Sequence, residues 1–175
     1  MPNDDARLRQ VVALLAPRSG ERVLEIGCGH GVAIGLVLAQ AAEARVVAVD
    51  RSPAMVAAAR RRNAGFGDRV DVVEADLAAL DLGGRLFDKI FAVRVGAFAR
   101  KDAGPELAAA ARHLAPSGRL YLFMDSPSGD AATLGSAMAQ TLVRHGWRVL
   151  DRSPVAERSS AWVIADLPNR TAARP

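Results

Sequence analysis

Short apolar runs alternate with longer amphipathic stretches along most of this chain. Arg22–Ile26, Arg45–Val49, Val70–Glu74, Asp88–Val93 and Arg119–Met124 are compact and rich in Val, Ile, Leu and Phe, and they read as buried strands. Between them the pattern predicts helices over Val32–Ala42, from the Ser52-Pro53 start to near Gly65, and from Pro105 through Leu114. An N-terminal helix over residues 4–16 carries Leu8, Val11, Val12 and Leu15 at helical spacing and stops at Pro17. The A-P-S-G run at 115–118 predicts a turn, and Asp130 caps a last helix ending near His145. Trp147–Leu150 and Trp162–Ala165 are separated only by a polar loop with Pro154, so they should form an antiparallel pair. The fold class is therefore α/β, a parallel sheet with helices on both faces.

The densest motif is V-L-E-I-G-C-G-H-G-V at 23–32, where a strand meets a glycine turn and then a helix. Glycine at every second position allows a sharp turn and close approach of a ligand. The dinucleotide fingerprint needs a further glycine where Val32 stands, and the chain instead has a carboxylate two residues before Gly27. The pattern E-x-G-x-G-x-G resembles motif I of the class I S-adenosylmethionine-dependent methyltransferases. Pyrophosphate favours bare helix N-terminal N–H groups, whereas a ligand carrying a sulfonium and an ammonium tolerates Glu25. Glu25 could equally cap the turn by accepting backbone N–H bonds, and the two roles are compatible.

In open α/β sheets ligands bind beyond the carboxyl ends of the strands, so the residues closing each strand are the candidates. Asp50 ends the second strand, 23 residues after Gly27, where a carboxylate can accept bonds from ribose hydroxyls or cap the helix beside Ser52. Asp76 follows the third strand and Asp125 the fifth, each a ligand group or a turn-capping Asp, and Asp125 is the best-placed candidate base. Arg94 closes the fourth strand and could bind an acidic substrate group or pair with Asp125. Met55 could pack on an adenine or in the core, and His30 could touch ligand or face water. Cys28 reads as a small residue in a tight turn, since no His within the motif would activate a thiolate.

The family resemblance implies more. It implies a Rossmann-like seven-stranded, mostly parallel sheet in the order 3-2-1-4-5-7-6 with the last strand antiparallel. S-adenosyl-L-methionine is the implied cofactor. Gly27, Cys28 and Gly29 would lie under its methionine and ribose portions, with Glu25, Asp50, Arg51, Met55 and Val93 completing that part of the site. Asp76 would accept a bond from the adenine amino group, with Ala75 and Leu77 flanking the ring. Arg94 and Asp125 are the candidate catalytic residues; Arg94 departs from the Asn or Asp common there, and the N-P-P-Y of amino-methylating relatives is absent. The implied reaction is methyl transfer to an acceptor by in-line displacement, with a non-catalytic cofactor-binding subunit as the alternative reading. A nicotinamide oxidoreductase is disfavoured by Val32 and the lack of a Tyr-x-x-x-Lys set.

Composition narrows the partners. At 175 residues the chain suits one domain: residues 1–167 as the methyltransferase domain with helix 4–16 as a candidate lid, and 168–175 as a loose basic tail. The net charge is +4, almost all of the cations are Arg, and the only run is Arg60-Arg61-Arg62 at an expected helix end. Such dispersed charge points to a small-molecule acceptor rather than nucleic acid. One cysteine excludes a disulfide framework and makes a cysteine-rich metal site implausible, so no metal is expected. With no membrane-length apolar run and no visible secretory signal, the expected location is the cytoplasm. The bare core would leave an open site, which helix 4–16 or a second subunit in a homodimer could cover.

Overall fold

A computed structural model describes residues 4–100, 102–126, 129–153 and 160–168. Seven strands, β1 (Arg22–Ile26), β2 (Arg45–Asp50), β3 (Val70–Glu74), β4 (Phe87–Val93), β5 (Leu114–Asp125), β6 (Arg148–Arg152) and β7 (Ser160–Asp166), form one sheet in the order β3-β2-β1-β4-β5-β7-β6. The first five pair in parallel, and β7 is antiparallel to both β5 and β6. Five α-helices join them: α1 (Asp4–Leu15), α2 (Val32–Gln40), α3 (Pro53–Asn63), α4 (Gly104–His113) and α5 (Ala131–Arg144). The expected class and strand order are those observed.

Burial explains the layering. After their first residue, β1 and the inner part of β2 are buried throughout, as parallel strands covered on both faces must be. Alternation along β1 sends Leu24 and Ile26 into one core, with Leu107 of α4 and Met138 of α5, and Val23 into the other, with Leu15, Ile34 and Val56 of α1, α2 and α3. β7 alternates buried and half-buried residues, as suits a strand near the edge.

Two expectations change. The helix after the glycine turn ends at Gln40 rather than Ala42, because Ala41 turns to extended backbone while its N–H closes on the Val37 carbonyl. The A-P-S-G run is not a free turn but part of β5: Leu114 pairs with Phe87, and after residues 115–118 bulge outward, Arg119 pairs with Lys89. The loop around Pro154 and residues 169–175 of the expected tail lie outside the described residues. Among the described residues no helix is long and apolar enough to cross a membrane.

Candidate functional site

The chain passes from β1 to α2 through three left-handed glycines, Gly27 (φ 70), Gly29 (φ 52) and Gly31 (φ 72). A Cβ on Gly31 would lie 2.6 Å from Asn63 Nδ2 and 3.0 Å from the Ala59 Cα, so α3 closes directly on this turn. Asn63 fixes that contact by donating to the carbonyls of Gly31 and Ala59, each at 2.9 Å. The turn is also stitched to β2: the N–H groups of Gly27 and Cys28 both reach the Val49 carbonyl, at 2.8 and 3.0 Å.

Asp50 anchors the same turn. Its Oδ2 accepts the Gly29 N–H at 2.9 Å and its Oδ1 accepts the Ser52 N–H at 2.9 Å. Ser52 caps α3 by accepting from the Met55 N–H. A cleft of about 540 Å³ opens beside these groups, at the carboxyl ends of β1 to β4 where the strand order reverses on either side of β1. Gly27, Asp50, Arg51, Ala75, Asp76 and Leu77 line it, together with Val93 and Arg94 at the end of β4. Eight of the thirteen expected site residues therefore meet in one cleft.

The other five sit around it. Glu25 is buried, and its Oε2 has no hydrogen-bond partner among the described residues. Burial, and secondarily the charge of Asp50, push its pKa up to about 8, so the side chain carries its proton at neutral pH. Cys28 packs into the α1–α3 core, where burial above all, then Glu25 and Asp50, push its thiol up to about 12. Gly29 holds Asp50, and Met55 is half-buried on α3. His30 is exposed and outside the cleft lining. Asp76 is exposed, and its Oδ1 accepts the Ala78 N–H at 2.9 Å, capping a short 3-10 turn over Leu77–Ala79. At the end of β5, Asp125 Oδ2 pairs with Arg7 of α1 and lies 3.6 Å from Arg94 Nε. The pairing of Arg94 with Asp125, one of the two readings of that arginine, is thus present.

Sequence reasoning missed the rest of the lining, made by Val95, Gly96, Ala97, Arg100 and Glu106. The first three belong to or adjoin a 3-10 turn at Gly96–Ala99 that no periodicity announces. Glu106 has the look of an ordinary acid in the first turn of a helix, yet it is buried and ion-paired with Arg100. Arg7 looks like a solvated-face residue of α1; only the fold brings it to Asp125.

The site suits an adenosyl sulfonium in its own features. A buried carboxyl group, one of whose oxygens has no hydrogen-bond partner among the described residues, stands at the start of a turn whose helix begins without an acidic first turn. A half-buried Asp50 at the mouth retains acceptor capacity beyond its two backbone bonds. Among the described residues no His, Cys, Asp and Glu grouping could hold a metal.

Comparison with known proteins agrees with this geometry. A family model described as a methyltransferase domain matches residues 23–118, from β1 to the bulge of β5 and more than half of the chain. Ribosomal RNA small subunit methyltransferase A of Anaeromyxobacter sp. (strain K) is 41% identical over 105 residues, 60% of this chain and 33% of its own length. Protein-L-isoaspartate O-methyltransferase of Methylorubrum populi is 36% identical over 120 residues, 69% of this chain and 52% of its own. The chain thus spans between a third and about half of these curated relatives. In fold it is similar to the glycopeptide N-methyltransferase MtfA complexed with S-adenosyl-L-methionine, with TM-score 0.77 and 19% identity over 94% of both chains.

Proposed function

From the chain's membership of the class I S-adenosylmethionine-dependent methyltransferases, we propose that it transfers a methyl group from S-adenosylmethionine to a small-molecule acceptor. The observation that carries this reading is the cleft itself, where the glycine turn, Asp50 and Asp76 converge at the point where the sheet order reverses. Asp50 would hold the ribose hydroxyls, Leu77 and Ala75 the base, and the backbone of Gly27 the methionine portion. S-adenosylmethionine supplies a sulfonium methyl that an acceptor atom displaces in line, so the protein's task is alignment and exclusion of water, worth roughly 7–11 kcal/mol. Arg94 and Asp125 then form the acceptor side: Arg94 orients an anionic portion of the acceptor and Asp125 is the candidate base. Arg7 links α1 to this pair, which supports α1 as the lid of the single domain.

A small acceptor is favoured over nucleic acid by where the basic run falls. Arg60, Arg61 and Arg62 occupy the last turn of α3, about 12–15 Å along the helix axis from the Ser52 cap beside Asp50. Arg60 is committed to the Val72 carbonyl, at 2.7 Å from Nη2. The run therefore adds nothing to the mouth of the cleft.

Calorimetry with S-adenosylmethionine, S-adenosylhomocysteine and NAD tests the cofactor, and labelled methyl donor with panels of small molecules and RNA tests the acceptor. Binding of NAD alone would overturn the reading. Cofactor binding with turnover only on RNA would overturn the small-molecule assignment. Binding without turnover on either panel would favour a non-catalytic subunit.

A further inference from the structure

A second hollow, of about 380 Å³, lies between α1 and the β5–β7 pair. It is lined by Arg7, Gln10 and Leu14 of α1, Phe123 of β5, and Ser160 and Trp162 of β7. The three α1 residues fall at helical spacing on one face and span about 10 Å along the axis. Leu14 is 41% exposed and Trp162 is half-buried, so an aliphatic and an aromatic side chain meet whatever enters. Sites for small organic molecules have this size and make-up, apolar and aromatic with a few polar groups.

The hollow continues the cofactor cleft. Strand register sets Val93 beside Phe123 and Phe123 beside Trp162, one row across β4, β5 and β7 near the carboxyl ends of β4 and β5. All three side chains lie on the α1 face of the sheet. Val93 lines the cleft, whereas Phe123 and Trp162 line the hollow. Two strand spacings, about 10 Å, therefore separate Val93 from Trp162. The rims are joined as well: Arg7 of the hollow pairs with Asp125, which lies 3.6 Å from Arg94 of the cleft.

We propose that this hollow seats the body of the methyl acceptor, and that the acceptor is a planar, apolar aromatic molecule whose polar, methyl-accepting end reaches past Phe123 to Asp125. This rests on the cleft being the S-adenosylmethionine site. An aromatic ring against the Trp162 indole gains stacking beyond the area it buries, and Leu14 adds apolar contact. A small polar acceptor would leave both side chains in water and would not span the two strand spacings. Leu14 and Trp162 therefore determine which acceptor binds, without touching the cofactor.

The test is calorimetry with 2-naphthoate, a planar aromatic probe with one polar end, on protein saturated with S-adenosylhomocysteine. Wild-type protein should bind the probe at one site. Leu14→Trp, which fills the hollow from an exposed position, and Trp162→Ala, which removes the stacking surface, should each weaken that binding by about tenfold or more. The dissociation constant for S-adenosylhomocysteine should stay within about twofold of wild type in both. Trp162→Leu, which keeps apolar bulk in β7, gives the same reading if the Ala variant does not fold. Protein that binds S-adenosylhomocysteine but not 2-naphthoate, or a folded Leu14→Trp with wild-type affinity for the probe, would overturn the assignment and leave the proposed function standing. Sedimentation showing a dimer that Leu14→Trp abolishes would give the hollow to a second copy of the chain, and would overturn it too. Wild-type protein that does not bind S-adenosylhomocysteine would overturn the proposed function itself, and this inference with it.

Discussion

Replacing Asp50 by Ala separates the two tasks of one carboxylate. Its oxygens each accept a backbone N–H at 2.9 Å, from Gly29 in the glycine turn and from Ser52 at the start of α3. A hydrogen bond to a charged group contributes about 1.5–3 kcal/mol. Asp50 is only half-buried, and water can take over part of the Ser52 contact, so the combined loss of stability should be about 2 kcal/mol rather than the sum. For a chain of this length that lowers the melting temperature by about 4–8 °C. The ribose contact is separate, and its loss should weaken S-adenosylhomocysteine binding by about one to two decades. Asp50→Asn divides the effects: its single carbonyl oxygen can keep one N–H partner and recover part of the melting temperature, without restoring the charged acceptor for the ribose. Thermal melts and calorimetry on the three proteins at one pH give both quantities. An Ala variant that melts with the wild type would refute the anchoring role, and a dissociation constant within twofold of wild type would remove the ribose assignment.

Three further outcomes are expected. Glu25 titrates near 4.5 when unfolded and near 8 in the fold, so between those values the unfolded chain releases a proton that the fold keeps. Its contribution to stability is therefore complete below pH 4.5 and is lost as pH rises towards 8, by at most about 1.4 kcal/mol per pH unit; denaturation midpoints of wild type and Glu25→Gln should converge at low pH and separate across that window, and parallel curves would contradict the buried, protonated state. The Cys28 thiol, pushed up to about 12 chiefly by burial, should resist iodoacetamide at pH 8 in the native protein and react only in denaturant; native labelling at the rate of a free thiol would place it outside the core. Arg94 holds a left-handed φ of 59°, which costs a non-glycine residue about 1–2 kcal/mol, so Arg94→Gly should melt higher than Arg94→Ala, and the reverse order would show that the backbone there is unstrained.

What the sequence made legible follows from how this fold spreads its chemistry. Each parallel strand ends at the same edge of the sheet, so Asp50, Asp76 and Arg94 could be taken one at a time from the residue that closes a local apolar run, and all three line one cleft. The glycine turn was legible for the same reason, since its three left-handed positions lie within one strand-to-helix connection. Contacts made across the fold were not. Arg7 and Asp125 are 118 residues apart and meet because α1 lies on the same face of the sheet as Phe123, just before the end of β5. Cys28 shares the glycine turn yet faces the core, and nothing in a run of alternating glycines fixes which way the intervening side chain points. Glu106 is the sharpest case. An acid one residue after Pro105 satisfies every local rule for the first turn of an exposed helix. It sits beside the 3-10 turn that precedes α4 and pairs with Arg100 just after that turn, an arrangement with no periodicity to betray it. Local rules locate side chains that a strand end presents to the cleft; those that a neighbouring helix presents become visible only when a buried charge is found without enough partners.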